Sequence, residues 1–475
     1  MTPPRRIVVV GGGIAGLAAA HRLVELSRER REPVELTLLE ARNRLGGTIA
    51  TERVGGFLIE AGPDSFLSEK PWALALSERL GITRELVRTD DRFRKTVVVH
   101  RGKLHPLPEG FQLLAPARLA PLVTSRLFSW PGKLRMALDL LLPRGTGSGD
   151  ESLGSFVRRR LGAEALERVA QPLVAGIYTA DPDQLSLAAT MPRFLEMERR
   201  ERSLILALWR QARRGPTQTK GVSGARWSLF VTFAQGMETL VSALADRLPA
   251  GAVRLRAPVA ALARSENRWT VVLASGEALP ADGAVLAAES HQSARLVRDL
   301  DPRLARLLGE IPYASSATVS LGYKHEEIPH PLDGFGFVVP RSEGRPILAC
   351  TFSSVKYPER APERRALLRV FLGGALDEGV LKEDDESLVA IARGQLAELL
   401  GVTGPPVLAR VHRHPQAMPQ YRVGHLEHVA TIERCLDAEP GLKLAGSAYR
   451  GVGIADCVRS GEEAAAAFFP VSTTS

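Results

Sequence analysis

Gly11-Gly12-Gly13-Ile14-Ala15-Gly16 has the spacing G-x-G-x-x-G, and the chemistry open to it is dinucleotide binding. Gly11 allows a tight turn. Gly13 lets a pyrophosphate approach the backbone, and Gly16 lets a helix pack closely on a strand. The spacing carries weight only between a strand and a helix. Ile7–Val10 reads as the strand and Leu17–Leu23 as the helix, whose free N–H groups and positive dipole end suit phosphate. Arg5-Arg6 before this apolar run imitates a secretory leader, but glycine at four of its positions makes a poor apolar helix. A polar turn over Ser27–Glu32 leads to a second strand, Val34–Leu39. That strand ends in Glu40, where an acid can accept from ribose hydroxyls.

Three further stretches extend the reading. Arg44-Leu45-Gly46-Gly47 follows the ribose acid directly. Gly62-Pro63-Asp64-Ser65-Phe66 comes next. Near the far end, a strand at Leu442–Ala445 runs through the glycine-rich turn Gly446–Gly453 into an alanine-rich helix, Ile454–Phe468. A helix N-terminus there stabilises negative charge on a bound group. Together these stretches resemble the FAD-dependent amine oxidase and desaturase superfamily. The resemblance implies that FAD is the cofactor. It places Ala41, Arg44, Gly46 and Gly47 along pyrophosphate and flavin, with Gly62, Pro63, Asp64 and Ser65 against the isoalloxazine ring. Gly446, Val452, Gly453 and Ile454 then fall at the pyrimidine side, and the Val259 backbone at adenine.

The elements that must position these residues are scattered. Phe233–Leu240 opens a helix reaching Leu248. Strands follow at Val253–Leu262, Trp269–Leu273 and Ala284–Ala288, with a turn at Ser275-Gly276-Glu277. The fold class expected is α/β. A discontinuous Rossmann-like FAD-binding domain takes 1–75, 230–300 and 425–475. A helical, membrane-binding-like domain takes 90–210, and an α+β substrate-binding domain takes 76–89, 211–229 and 301–424. Within the last, Ala317–Tyr323 and Arg369–Leu372 read as strands and Glu386–Leu400 as a helix, while 211–228 reads as a flexible loop.

Gly176-Ile177-Tyr178-Thr179-Ala180-Asp181, running on to Leu185-Ser186, is similar to a segment of the porphyrinogen oxidases of haem biosynthesis. Arg202–Leu206, Gly334–Pro340, Met418–Tyr421 with Gly424-His425, and Gly451–Ile454 with Asp456-Cys457 match that family too. The resemblance covers nearly the whole chain and is strongest to the soluble bacterial branch. It implies oxidation of coproporphyrinogen III or protoporphyrinogen IX, with flavin reoxidised by O2 to give H2O2. Aromatising the macrocycle removes six electrons in three two-electron cycles. Each cycle moves hydride from a bridge carbon to the flavin, and a pyrrole N–H loses its proton. The pyrrole nitrogen stabilises the developing cation, so no catalytic side chain is assigned beyond the flavin.

By matched motif the substrate residues are Lys70, Gly176, Phe335, Val338, Thr351 and Phe371. Gly176 would admit a pyrrole ring, the two phenylalanines would clamp the macrocycle, and Lys70 would meet a propionate. One departure stands out: the protoporphyrinogen branch often has Arg where this chain has Thr96. Coproporphyrinogen carries four propionates and protoporphyrinogen two, and the soluble-branch likeness favours the former. His414 reads as a surface residue near a position where some relatives place Trp. Cys457 reads as a buried thiol, and Tyr449 stands alone where amine oxidases have an aromatic cage.

Composition limits the rivals. Cys350, Cys435 and Cys457 are too few and scattered for a disulfide framework or a Cys-based metal site, so no metal is expected and a reducing cytoplasm fits. Net charge is +9, with 53 Arg among the 62 basic residues. The arginines sit beside acids and form no basic arm, which argues against nucleic acid. A membrane surface on the inner face of the cell membrane, an anionic substrate and a homodimer remain as partners. Another amine oxidase or desaturase-type enzyme, and a non-catalytic basic binding protein, are the alternatives.

Overall fold

The structure is a computed structural model and describes residues 3–470 apart from 94, 113, 119, 146–148, 215–228 and 267. A parallel five-stranded sheet runs in the order Val253–Arg254, Val34–Leu39, Arg5–Val10, Gly283–Leu286, Leu442–Leu444. Its strands are continuous apolar runs because both faces are covered. Ile7 and Val9 pack under the helices Ile14–Arg30 and Ile454–Ala466. Val8 and Val10 face a second core with Trp269, Leu304 and Val429. Trp269 belongs to a three-stranded antiparallel layer, Val259–Ser265, Arg268–Leu273 and Ala278–Ala281.

A mixed seven-stranded sheet runs in the order Leu408–Pro419, Tyr313–Lys324, Arg365–Gly373, Ala349–Phe352, Gly336–Val338, Thr96–His100, Lys103–Pro106. Alternation divides its faces. Val319, Leu368, Val370, Cys350, Phe337 and Val99 pack under the helix Asp385–Leu400. The opposite face carries Ser320, Thr318, Arg369, Phe371, Thr351 and Val338.

A third body is helical, with Phe156, Val169, Val174, Phe194 and Leu208 in its core. Inside it Arg160 is fully buried, with Nη2 2.5 Å from Asp139 Oδ1, and it also donates to Pro143 O and Arg202 O. Among the described residues no helix is long and apolar enough to cross a membrane.

Several expectations change. The helix at 14 continues through the expected polar turn to Arg30, and Arg31 ends it in the left-handed region at φ 57°. Phe233 closes a strand, Phe230–Phe233, rather than opening a helix; the chain turns at Gly236 (φ 94°) before the helix Glu238–Ala245. The strand expected over 253–262 divides, its two halves joining different sheets. Within 90–210, Thr96–His100 and Lys103–Pro106 are strands, because they complete the edge of the seven-stranded sheet. Leu76, Leu80, Ile82 and Leu86, assigned from sequence to the substrate domain, pack into the same core as Val9 and Leu17. Of the loop expected over 211–228, residues 211–214 finish the helix Leu204–Arg214, and 215–228 lie outside the described residues.

Helix Ile454–Ala466 crosses helix Ile14–Arg30 at Gly461, where an added Cβ would stand 2.2 Å from Ala15 O. Gly461→Val forces the helices apart and should destabilise the fold by ~1–3 kcal/mol, read as a lower urea midpoint. Gly394, exposed in the helix Asp385–Leu400 with nothing within 4 Å of its added Cβ, is the contrast. Gly394→Ala should raise the midpoint, by about 0.4–1 kcal/mol.

Candidate functional site

The glycine turn is built by exclusion. Gly11 has φ 108°, and a Cβ on it would lie 2.6 Å from Ala287 O. On Gly16 the added atom would lie 1.9 Å from Gly11 O. On Gly13 it would meet only Gly47 Cα, at 4.0 Å, so that side is open. Gly13 is the extended N-cap of the helix and no side chain caps it. The N–H groups of Ile14, Ala15 and Gly16 are therefore left for a ligand.

Glu40 ties the loops together. Its Oε2 accepts from Gly12 N at 2.7 Å and its Oε1 from Arg42 N at 2.8 Å. Each oxygen keeps a further lone pair for a ribose hydroxyl. Gly46 N donates to Gly12 O at 2.8 Å, which sets the second glycine pair backbone to backbone against the first. Arg44 turns its guanidinium inward onto the carbonyls of Leu45, Gly47 and Ile49, so it braces the loop that carries Ala41 and Gly46. Ala257 N donates to Glu40 O at 2.9 Å, which brings half-buried Val259 alongside. This cradle of open backbone, free N–H groups and a carboxylate fits a dinucleotide.

The segment 61–65 is held from below. A Cβ on Gly62 would stand 1.9 Å from Thr48 O. Arg369 Nη2 donates to Gly62 O at 2.7 Å, and His414 Nε2 lies 2.9 Å from Ala61 O. Asp64 pairs with Lys356 at 3.0 Å and accepts from Ser65 Oγ at 2.7 Å. Burial pushes the Asp64 carboxyl up, but Lys356 and Arg369 outweigh it and hold the group down at about 2. His414, expected at the surface, is half-buried, and burial pushes it down to about 4.

The C-terminal turn is pinned by Tyr421, whose Oη donates to Ser447 O at 2.5 Å and accepts from Gly451 N at 2.7 Å. Tyr421 stacks on His425, ring centroids 3.9 Å apart, and His425 Nε2 lies 2.9 Å from Tyr449 O. Gly446 has φ 128°, and an added Cβ there would meet nothing within 4 Å. Gly453 caps the helix at Ile454 without a side-chain acceptor, so a second helix N-terminus is open.

Of the substrate residues, Val338, Thr351 and Phe371 share one face. Val338 and Phe371 both pair with Ala349, while Thr351 pairs with Gly336 and Arg369. All three are half-buried. Val338, Val452 and Tyr178 pack against one apolar cluster, which joins that face to the C-terminal turn and to the helix Gln171–Tyr178. Gly176 lies exposed in the last turn of this helix, with nothing within 4 Å of its added Cβ. Phe335 precedes its strand, at a break marked by Gly336 (φ 138°), so the register does not put it on that face. Lys70 is not a free cation: its Nζ lies 2.5 Å from Asp456 Oδ2 at the start of the second helix.

Sequence reasoning gave Arg369, Lys356, Asp456 and Tyr421 no site role, although Tyr421 and Asp456 stand in stretches matched to the family. For Arg369 a signal existed, since it stands two residues before Phe371 and a strand repeats every second residue. The other three are joined to their partners by long-range folding alone.

The profile of the family described as "Flavin containing amine oxidoreductase" matches residues 14–468. The chain is 36% identical over 461 residues to coproporphyrinogen III oxidase of Bacillus subtilis (strain 168), covering 97% of each. It is 34% identical to protoporphyrinogen oxidase of Bos taurus, over 97% of this chain and 98% of that one. A crystal structure of a protein from Exiguobacterium sp. 255-15 superposes with TM-score 0.87 at 32% identity, covering 98% of this chain and 99% of that one.

Two buried histidines give the site an acid limit. Burial lowers both His414 and His425 from 6.5 to about 4. On unfolding below pH 6.5 each takes up a proton, so their contribution is whole above 6.5 and is lost as pH falls toward 4. Urea midpoints should fall across that window. In a variant with both residues changed to Gln, the fall should be shallower.

Proposed function

The chain belongs to the flavin containing amine oxidoreductase family, and from that membership we propose that it is an FAD- and O2-dependent porphyrinogen oxidase of haem biosynthesis. Coproporphyrinogen III is the proposed substrate and coproporphyrin III the product, with H2O2 released. The reading rests on one observation above all. Val338, on the half-buried face it shares with Thr351 and Phe371, and Val452, in the turn that opens the second helix N-terminus, pack against the same apolar cluster. That arrangement suits the apolar pyrrole faces of a tetrapyrrole laid beside a flavin.

When bound, FAD supplies two-electron oxidation and is restored by O2. The protein's share is binding and placement. The open N–H groups of the helix at Ile14 hold the pyrophosphate, and Glu40 holds ribose. Gly62, Pro63, Asp64 and Ser65 form the ring-side wall, braced by Arg369 and Lys356. Gly446, Val452, Gly453 and Ile454 bring the second positive helix end to the ring. Val338 and Phe371 exclude water from the reacting bridge carbon, and Gly176 leaves room for the macrocycle edge.

We also propose peripheral association with the inner face of the cell membrane. Trp130 (63% exposed), Leu134 (66%), Leu138 (46%) and Leu141 (73%) recur at helical spacing, with Lys133 beside the Trp130 ring. An apolar stripe with a basic flank is what an anionic bilayer binds. A homodimer is the other cover for this stripe.

Aerobic assay with both porphyrinogens, following porphyrin fluorescence, tests the main reading. Coproporphyrinogen should be the faster substrate, with three H2O2 per porphyrin. Rates with both at the autoxidation level would refute it. The double variant L134E/L141E should weaken co-sedimentation with phosphatidylglycerol vesicles about tenfold and leave turnover unchanged. A wild-type chain that ignores vesicles but sediments as a dimer assigns the stripe to self-association.

A further inference from the structure

Arg369 is 5% exposed and stands on the face of the seven-stranded sheet turned to the segment 61–65. It donates to Gly62 O at 2.7 Å and Ala61 O at 3.4 Å, neither of them an anion. Its Nε is buried with no hydrogen-bond partner among the described residues, and its guanidinium carbon lies 5.0 Å from the Phe371 ring centroid. The neighbouring charges do not cancel it. Asp64 is taken by Lys356 at 3.0 Å, and Glu60 faces Arg360 at 3.7 Å. Three cations therefore share two carboxylates in a largely buried cluster. Thr318 Oγ1 and Ser320 Oγ, opposite Phe371 and Arg369 in the register, are also buried without partners among the described residues. A buried guanidinium with spare positive charge is costly unless an anionic group completes the cluster.

We infer that Arg369 is a positioning residue of the flavin site, fixing the ring-side segment through Ala61 and Gly62 and supplying the spare positive charge that favours flavin reduction. This rests on the FAD reading above. The oxidised ring is neutral. Taking two electrons and one proton as hydride from the substrate carbon leaves it one negative charge, and the pyrrole N–H proton passes to solvent. A fixed cation in a dry cluster stabilises that charge, and Asp64 opposes it.

The test uses the full-length FAD-loaded protein, equilibrated anaerobically with a reference dye and read by absorbance. Arg369→Met should lower the two-electron reduction constant about tenfold, ~30 mV for such a couple. Arg369→Lys keeps the charge and should stay within about threefold. Asp64→Asn removes an opposing negative charge and should raise the constant. Opposite signs for Arg369→Met and Asp64→Asn separate charge from packing damage, which would move both the same way. The inference is overturned if Arg369→Met holds FAD with an unchanged constant, or if both variants shift together. Where Arg369→Met does not retain FAD, Asp64→Asn decides: a raised constant supports the inference, and an unchanged or lowered one overturns it. A wild-type chain that takes up no FAD fails the functional reading itself.

Discussion

The site depends on one close crossing. Helices Ile14–Arg30 and Ile454–Ala466 lie on the same face of the parallel sheet, and Gly461 brings the second onto the backbone at Ala15. Both helices follow strands of that sheet, so both begin at its carboxyl edge, where open α/β sheets bind ligands. The small residues Ala15, Ala18, Ala19, Ala464 and Ala465 permit the approach. A larger residue at the crossing would separate the two N-termini. One dinucleotide-sized ligand could then no longer touch both.

Everything else at the site fixes loops to this pair of helices. Glu40 holds the glycine turn to the 40–47 loop through two backbone N–H groups. Tyr421 holds the C-terminal turn through Ser447 and Gly451. The Lys70–Asp456 pair ties the segment after 61–65 to the first turn of the second helix. Arg369 reaches from the other sheet to the carbonyls of 61 and 62. These hydrogen bonds tie segments far apart in the chain to the two helices.

What was legible in sequence was local. The glycine turn could be read because its glycines fall within six residues and one of the clashes that demands them, Gly16 on Gly11 O, is local; the clash of Gly11 with Ala287 O is not. The strand Val34–Leu39 was legible from a short apolar run ending in an acid. The strand Thr96–His100 was not, because its pairing with Gly336–Val338 is distant in the chain, although its hairpin with the edge strand Lys103–Pro106 is local. The Lys70–Asp456 contact spans 386 residues and the Lys356–Asp64 contact 292, separations at which no local spacing carries a signal. Lys70 looked like a free cation for substrate for the same reason: its acid partner is at the other end of the chain. His414 reads as a surface residue because the segment that covers it is distant in the chain: its Nε2 lies 2.9 Å from Ala61 O.

The arginine excess now has a structural use that composition could not suggest. Arg135 donates to the last carbonyls of the helix Leu153–Arg160. Arg160 reaches carbonyls at 139, 143 and 202, and Arg360 those at 233 and 234. Each joins segments far apart in sequence, and each uses the forked guanidinium on more than one acceptor. A lysine ammonium is a compact point charge and cannot span two carbonyls in fixed geometry. A chain assembled from interrupted segments ends many loops and helices against one another, leaving carbonyls to satisfy at every junction. Arginine meets that need while remaining charged. The positive balance of the chain therefore follows in part from how its bodies are joined.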